Sequence, residues 1–180
     1  MYECWSVNGF GICVDDIKDE DLTFAKLHKL CSKSKKMAKR FEEDIREYFS
    51  DLVFGTDYAG SMNAKDNLAT FSVENLIEKC QTDGDVADFL DYVEGDYGEC
   101  GLGYYFKSII AEVKDIRVVY AEDYDCKQYL LITPAYPWTK LADKEKNLTE
   151  ESVKKIFREY TAIFSATPID VKYYSVPNHS

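Results

Sequence analysis

A run of seven carboxylates near the middle of the chain, with no Lys or Arg among them, most constrains how this sequence can fold. The acids lie within residues 83–99, and the next basic residue is Lys107. Apolar residues recur within this run at the three- and four-residue spacing of a helix: Val86, Phe89, Leu90 and Val93. The pattern predicts an amphipathic helix over Asp85–Glu94, with its apolar side against a core and its carboxylates on the opposite side.

Like charges held so close together repel one another, so this run lowers stability unless a cation or a basic partner binds it. We therefore interpret it as a candidate partner-binding surface. Tyrosines suit such a surface, because they bury a large contact area at small entropic cost and are common at interface hot spots. The candidate residues are the acids of the run and two of its tyrosines: Asp83, Asp85, Asp88, Asp91, Tyr92, Glu94, Asp96, Tyr97 and Glu99.

The overall composition describes an acidic, globular chain. Its 180 residues are 46% hydrophobic and carry a net charge of −11. This is enough apolar material for a core, so we expect a single domain over residues 1–180, in which residues from about 20 to 114 can form a helical lobe. The net charge argues against direct non-specific binding to DNA or RNA, which draws its affinity from Lys and Arg. A basic stretch at Lys33–Arg40 is open to two interpretations, a second contact patch or a solvated helix face.

No catalytic or metal-binding motif is present in the sequence. The six cysteines are scattered singly without a Cys-x-x-Cys pair, and there are two histidines. Gly101-Leu-Gly103 begins like a dinucleotide-binding fingerprint, but Phe106 stands where the third glycine belongs. We assign no catalytic residue, no metal ligand and no cofactor. The first residues lack the features of a signal peptide and no apolar run is long enough to cross a bilayer, so we expect a cytoplasmic protein with no membrane partner.

Strand-forming segments indicate two hairpins and a C-terminal strand. In the first hairpin, Tyr2–Val7 and Phe10–Val14 flank Asn8-Gly9, the dipeptide that best suits a tight turn. The remaining strands are predicted at Arg117–Ala121, Lys127–Thr133 and Ile169–Tyr173.

Helical periodicity accounts for most of the rest of the chain, with a loop over Phe54–Asn67 and a glycine-rich break over Gly95–Gly103. The predicted helices are Thr23–Cys31, Ser34–Leu52, Val73–Gln81, Asp85–Glu94, one ending at Lys114, and one that starts at Asn147 or Thr149 and closes before Pro168. Strands and helices do not alternate regularly. We therefore predict an α+β fold, with about five strands in an antiparallel or mixed sheet and five to six helices packed against it.

Three segments of the chain resemble small proteins of bacterial phages and mobile elements: Trp5–Ile17, Tyr129–Trp138 and Leu148–Phe157. That setting includes the anti-CRISPR proteins, which inhibit Cas9. The resemblance implies a small acidic inhibitor, acting in the bacterial cytoplasm, that occupies a nucleic-acid-binding groove of its target. Cas9 has such a groove, since it holds its guide–target heteroduplex in a positively charged channel.

The sequence thus favours a non-catalytic protein that engages a basic nucleic-acid-handling partner, with Cas9 or its guide-RNA complex as the specific expectation. A metal-dependent nuclease acting on guide RNA or DNA is the first alternative, because clustered carboxylates also hold Mg²⁺ or Mn²⁺. A structural or regulatory component of a mobile element is the second. The oligomeric state is open.

Overall fold

The computed structural model describes residues 5–54, 72–79, 83–133 and 140–178, which contain one four-stranded antiparallel sheet and seven α-helices. The strands are β1 (Trp5–Cys13), β2 (Val119–Glu122), β3 (Gln128–Ile132) and β4 (Lys172–Asn178). The helices are α1 (Phe24–Cys31), α2 (Lys35–Phe54), α3 (Val73–Lys79), α4 (Asp83–Tyr92), α5 (Gly101–Lys114), α6 (Asp143–Lys146) and α7 (Glu150–Thr161). The predicted α+β class is confirmed, with four strands among the described residues in place of the five expected.

The sheet has the strand order β2-β3-β1-β4, so β1 lies between two partners that are distant from it in sequence. Side chains alternate across it, as they do in any strand. Ile12 and Leu130 point to the helical side and are fully buried in the main core. On the other side Ala121, Leu131 and Val176 form a second, smaller apolar cluster. The helices supply the rest of the main core, including the fully buried rings of Phe24, Phe41, Phe89, Tyr105, Phe106, Phe157 and Tyr160.

The first predicted hairpin is wrong. Asn8 and Gly9 lie inside β1, where they pair with Ser175 and Tyr174 of β4. The glycines of β1 instead allow the backbone of β3 to approach closely. A Cβ on Gly9 would lie 2.6 Å from the Ile132 carbonyl oxygen, and a Cβ on Gly11 would overlap the carbonyl oxygen of Leu130. Pairing with both neighbouring strands has overridden the local turn preference of Asn-Gly.

Gly11→Ala should lower the free energy of unfolding by about 1–3 kcal/mol, because the added methyl group forces β1 away from β3. Chemical denaturation followed by circular dichroism measures this. Ser6→Ala is the matched control, since Ser6 lies in the same strand but is exposed, and it should change stability by no more than about 0.5 kcal/mol. Equal stability of the two variants would show that β1 and β3 separate without cost.

Other predicted boundaries also differ from those of the structure. The last strand runs from Lys172 to Asn178 rather than from Ile169 to Tyr173, since residues 174–178 pair with β1 and Ile169 is buried in the main core before the strand starts. The predicted break over Gly95–Gly103 is too long, since Gly101 and Gly103 already belong to α5. Three predicted segments lie outside the described residues: the rest of the loop after Phe54, the end of the helix predicted to stop at Gln81, and residues 2–4.

The second predicted hairpin is confirmed, with β2 and β3 paired from Val119↔Leu131 to Glu122↔Gln128. Within the four described stretches of chain, no helix is both long enough and apolar enough to span a bilayer.

A candidate protein-interaction surface

Helix α4 divides into an apolar and an acidic side, as its sequence predicts. The helix ends at Tyr92 rather than at the predicted Glu94, and its apolar residues Val86, Phe89 and Leu90, with Val93 directly after it, are all at least nine-tenths buried. Asp88 and Asp91 are exposed. Asp83 and Asp85 belong to the first turn of α4, and their side chains lie outside the described part of the structure.

Phe89 fixes α4 against the rest of the molecule. Its ring centroid lies 5.3 Å from that of Phe24, 5.9 Å from that of Phe41 and 5.4 Å from that of Tyr48. Edge-on and tilted aromatic contacts at these distances add to the gain from burial alone. Since Phe89 is fully buried, it sets which side of α4 faces solvent.

The loop between α4 and α5 is short and closed by backbone hydrogen bonds. The Gly95 N–H donates to the Glu99 carbonyl at 2.7 Å, and the Gly101 N–H donates to the Val93 carbonyl at 2.9 Å. Gly98, at φ +80°, makes the turn that this closure requires, in a backbone conformation that residues other than glycine rarely adopt. At the tip, Tyr97 is 89% exposed.

Glu99 turns inward, away from the other acids of the run. It is only 5% exposed and forms an ion pair with Lys107, and its Oε2 accepts a hydrogen bond from the Tyr97 N–H at 3.1 Å. Burial alone would raise the pKa of Glu99, but the hydrogen bonds from Lys107 and from the backbone outweigh it and hold the pKa below its usual range. Glu99 therefore supports the loop from within and is not available at the surface.

Arg40 supports the same loop from α2. Its Nη2 donates to the Glu94 carbonyl at 2.9 Å, and its Nε donates to the buried Asp44 Oδ1 at 2.8 Å. The other carboxylate oxygen of Asp44 accepts a hydrogen bond from the Tyr105 hydroxyl at 2.8 Å. Burial raises the pKa of Asp44, against the opposing effect of these two donors. Arg40, the last residue of the basic stretch, thus has a structural role.

Six residues form what we call the acidic surface: Asp88, Asp91, Tyr92, Glu94, Asp96 and Tyr97. All six are exposed, and Tyr92 also packs on Tyr48 at a centroid distance of 5.8 Å. Among the residues that the structure describes, none of the four carboxylates forms an ion pair with Lys or Arg. The acidic surface therefore presents uncompensated charge on a backbone held by the core and by Arg40.

The supporting residues were not predicted from sequence. Arg40 is 54 positions from Glu94, and Lys107 is eight positions from Glu99 across a turn, so no periodic pattern links either pair. The exposure of Asp88 and Asp91, in contrast, follows from helical periodicity alone.

In the described part of the chain, no group of three or more His, Cys, Asp or Glu side chains is placed to hold a metal ion.

Comparisons with protein-family models, with curated proteins and with solved structures gave no match to this chain.

Proposed function

We propose that this chain is a non-catalytic binding protein whose acidic surface occupies the basic nucleic-acid groove of a partner protein, and that guide-loaded Cas9 is this partner. The observation that carries the proposal is the set of four exposed carboxylates, none of which forms an ion pair with a Lys or Arg that the structure describes, on a helix and loop held by the core and by Arg40. Such a surface costs stability in the free protein, and a basic partner would relieve that cost.

The negative charge of this chain favours a partner whose groove normally holds nucleic acid. A protein of net charge −11 is attracted over long range to a strongly positive channel, which speeds its association. The guide–target channel of Cas9 is lined by Lys and Arg that contact phosphates. Carboxylates form charge-assisted hydrogen bonds with the same side chains, and Arg pairs with a carboxylate in a two-bond geometry. The chain would therefore compete with nucleic acid for one set of residues.

Tyr97 and Tyr92 supply the contact that charge alone lacks. An ion pair at an interface adds little net affinity unless it is well ordered, so charge gives speed and selectivity more than strength. Tyr97 projects from the loop tip with 89% of its surface exposed. On binding, its ring would bury apolar area and offer its face to an Arg guanidinium.

The proposal predicts that removing the charge of the acidic surface weakens binding and flattens its dependence on salt. The test variant combines Asp88→Asn, Asp91→Asn and Glu94→Gln, which leaves the Glu94 carbonyl free to accept from Arg40. Its affinity for guide-loaded Cas9 should fall at least about tenfold at low salt, the effect of losing about 1.4 kcal/mol. Titration calorimetry or interferometry at two salt concentrations measures both quantities.

A control variant separates local charge from net charge. Glu74→Gln, Glu151→Gln and Asp170→Asn also remove three negative charges, from exposed positions on α3, α7 and the segment before β4. Binding by this control should change less than threefold. Equal loss of affinity in the two variants would mean that the acidic surface is not the contact, and unchanged binding by the test variant would overturn its assignment.

A further inference from the structure

A cavity of about 290 Å³ lies where α6 and the start of α7 meet β1 and the end of β3. Val153, which lines it, is only 4% exposed, whereas Arg117, which also lines it, is exposed. The cavity therefore has an apolar interior and a charged mouth, and it shares no residue with the acidic surface. Its apolar lining consists of five side chains: Phe10, Ile132, Leu141, Leu148 and Val153.

Two acids line the cavity, and both already have partners within the protein. Glu145 Oε1 accepts a hydrogen bond from the Arg117 N–H at 2.9 Å, and its Oε2 accepts one from the Ala142 N–H at 3.1 Å. Glu150 Oε1 forms an ion pair with Lys154 Nζ at 2.6 Å. These contacts compensate both carboxylates.

The guanidinium of Arg117 is not compensated in this way. Within the described part of the chain it forms no ion pair and donates no hydrogen bond, since the contact with Glu145 is made by the backbone N–H of Arg117. That backbone contact holds the residue at the mouth of the cavity. Arg binds a carboxylate through two parallel hydrogen bonds, so this side chain suits an anionic group at the mouth.

We propose that the cavity binds a small monocarboxylate with an apolar body, whose carboxylate pairs with Arg117 while its apolar part contacts Val153. A cavity of this size is at the lower end for small-molecule sites and holds roughly eight to ten heavy atoms. An apolar interior with one uncompensated cation at its mouth favours such an anion over a neutral or cationic molecule of equal size. This inference is independent of the proposed binding function.

Charges close to the cavity, and not the net charge of −11, decide which ligand binds. At physiological ionic strength, exposed charges more than about 8 Å apart are largely screened from one another. The acids of the acidic surface do not line the cavity, and its own two acids are compensated. Burial of the apolar chain supplies most of the affinity, and Arg117 selects the negative head group.

Three probes with the same eight-carbon chain test the ligand class: octanoate, octan-1-ol and octylammonium. Each is titrated below its micelle concentration into the full, ¹⁵N-labelled chain at pH 7, and the amide shifts are followed by NMR. Octanoate should bind with saturation, shift the amides of Arg117, Glu145 and Val153, and bind at least about tenfold more tightly than octylammonium. Equal affinities of these two probes, or a response without saturation, would overturn the proposed ligand class.

Arg117→Met tests the head-group contact, since it keeps a long apolar stem and the backbone N–H that binds Glu145. The affinity for octanoate should fall about fivefold, the modest loss expected where water partly screens the pair, whereas the affinity for octan-1-ol should not fall. Arg158→Met is the matched control, because it makes the same change at an exposed arginine of α7 that does not line the cavity. Equal losses in the two variants, or no loss in Arg117→Met, would contradict the assignment of Arg117.

Intermolecular nuclear Overhauser effects locate the apolar chain of octanoate. Its methyl and methylene protons should contact the methyl groups of Ile132, Leu148 and Val153, which line the cavity. Val113 is the reference for non-specific contact, because it is 44% exposed and does not line the cavity. Contacts to Val113 without contacts to Val153 would place the chain on the outer surface and rule out the cavity as its site.

Discussion

Phe89→Ala should lower the free energy of unfolding by about 3–5 kcal/mol, the range for removing a large aromatic side chain from a core. Phe89 is fully buried among Phe24, Phe41 and Tyr48, with ring centroids 5.3–5.9 Å away. Those neighbours belong to α1 and α2, which cannot fill the resulting cavity without moving. Urea denaturation followed by tryptophan fluorescence and circular dichroism measures the loss.

The neighbouring surface position supplies the control for this prediction. Asp88→Ala removes an exposed side chain from the same helix and should change stability by no more than about 0.5 kcal/mol. If Phe89→Ala costs no more than Asp88→Ala, then α4 is not fixed by its apolar side. The orientation of the acidic surface would then lack its explanation.

Lys107→Met should destabilise the protein by about 3 kcal/mol, because it leaves the carboxylate of Glu99 buried without its cation. The Glu99 side chain is 6% exposed, and the Lys107 side chain is 27% exposed. The cost falls at the low end of the range for broken buried pairs, since water reaches Lys107. Chemical denaturation of both proteins at pH 7 measures this difference.

The pH dependence of stability identifies Glu99 as the source of that loss. The pKa of Glu99 is lower in the folded protein than its ordinary value of 4.5. Its ionised form therefore stabilises the native state above about pH 4.5, and that contribution disappears as the pH falls through the folded pKa. In Lys107→Met this part of the stability loss at low pH should vanish, because the folded state no longer stabilises the ionised form of Glu99.

A double variant provides the matched control for the ion pair. Adding Glu99→Gln to Lys107→Met removes the unpaired charge and should restore about half or more of the lost stability, since a neutral amide still accepts from the Tyr97 N–H. If the double variant is as unstable as Lys107→Met, the cost comes from lost packing of the lysine stem and not from the carboxylate.

Features set by neighbours in sequence were predictable. The two sides of α4 follow from residues three and four positions apart, and Phe89 was placed on the core side on that basis. The β2–β3 hairpin was predictable for the same reason, because its strands are separated only by a short acidic turn. The α+β class followed from the order of these elements.

Features set by distant partners were not predictable. Asn8-Gly9 favours a turn locally, but pairing with β4, more than 160 residues later in the chain, holds it in a strand. The sequence predicts that Glu99 is exposed with the other acids of the run, but its ion pair with Lys107 turns it inward. Cys100, the residue before α5, lies 3.3 Å from the Tyr120 hydroxyl of β2 and 3.0 Å from Gln128 Nε2 of β3, and no local spacing predicts these contacts.

Titration of the purified chain into guide-loaded Cas9, with target DNA binding, DNA cleavage and guide-RNA integrity read in parallel, tests the proposed function most directly. Binding and cleavage should both be lost at about one equivalent, with the guide RNA intact, as expected of a protein that occupies the channel. Full Cas9 activity at excess protein would contradict the choice of partner. Loss of activity far below one equivalent, with a shortened guide, would contradict a non-catalytic role.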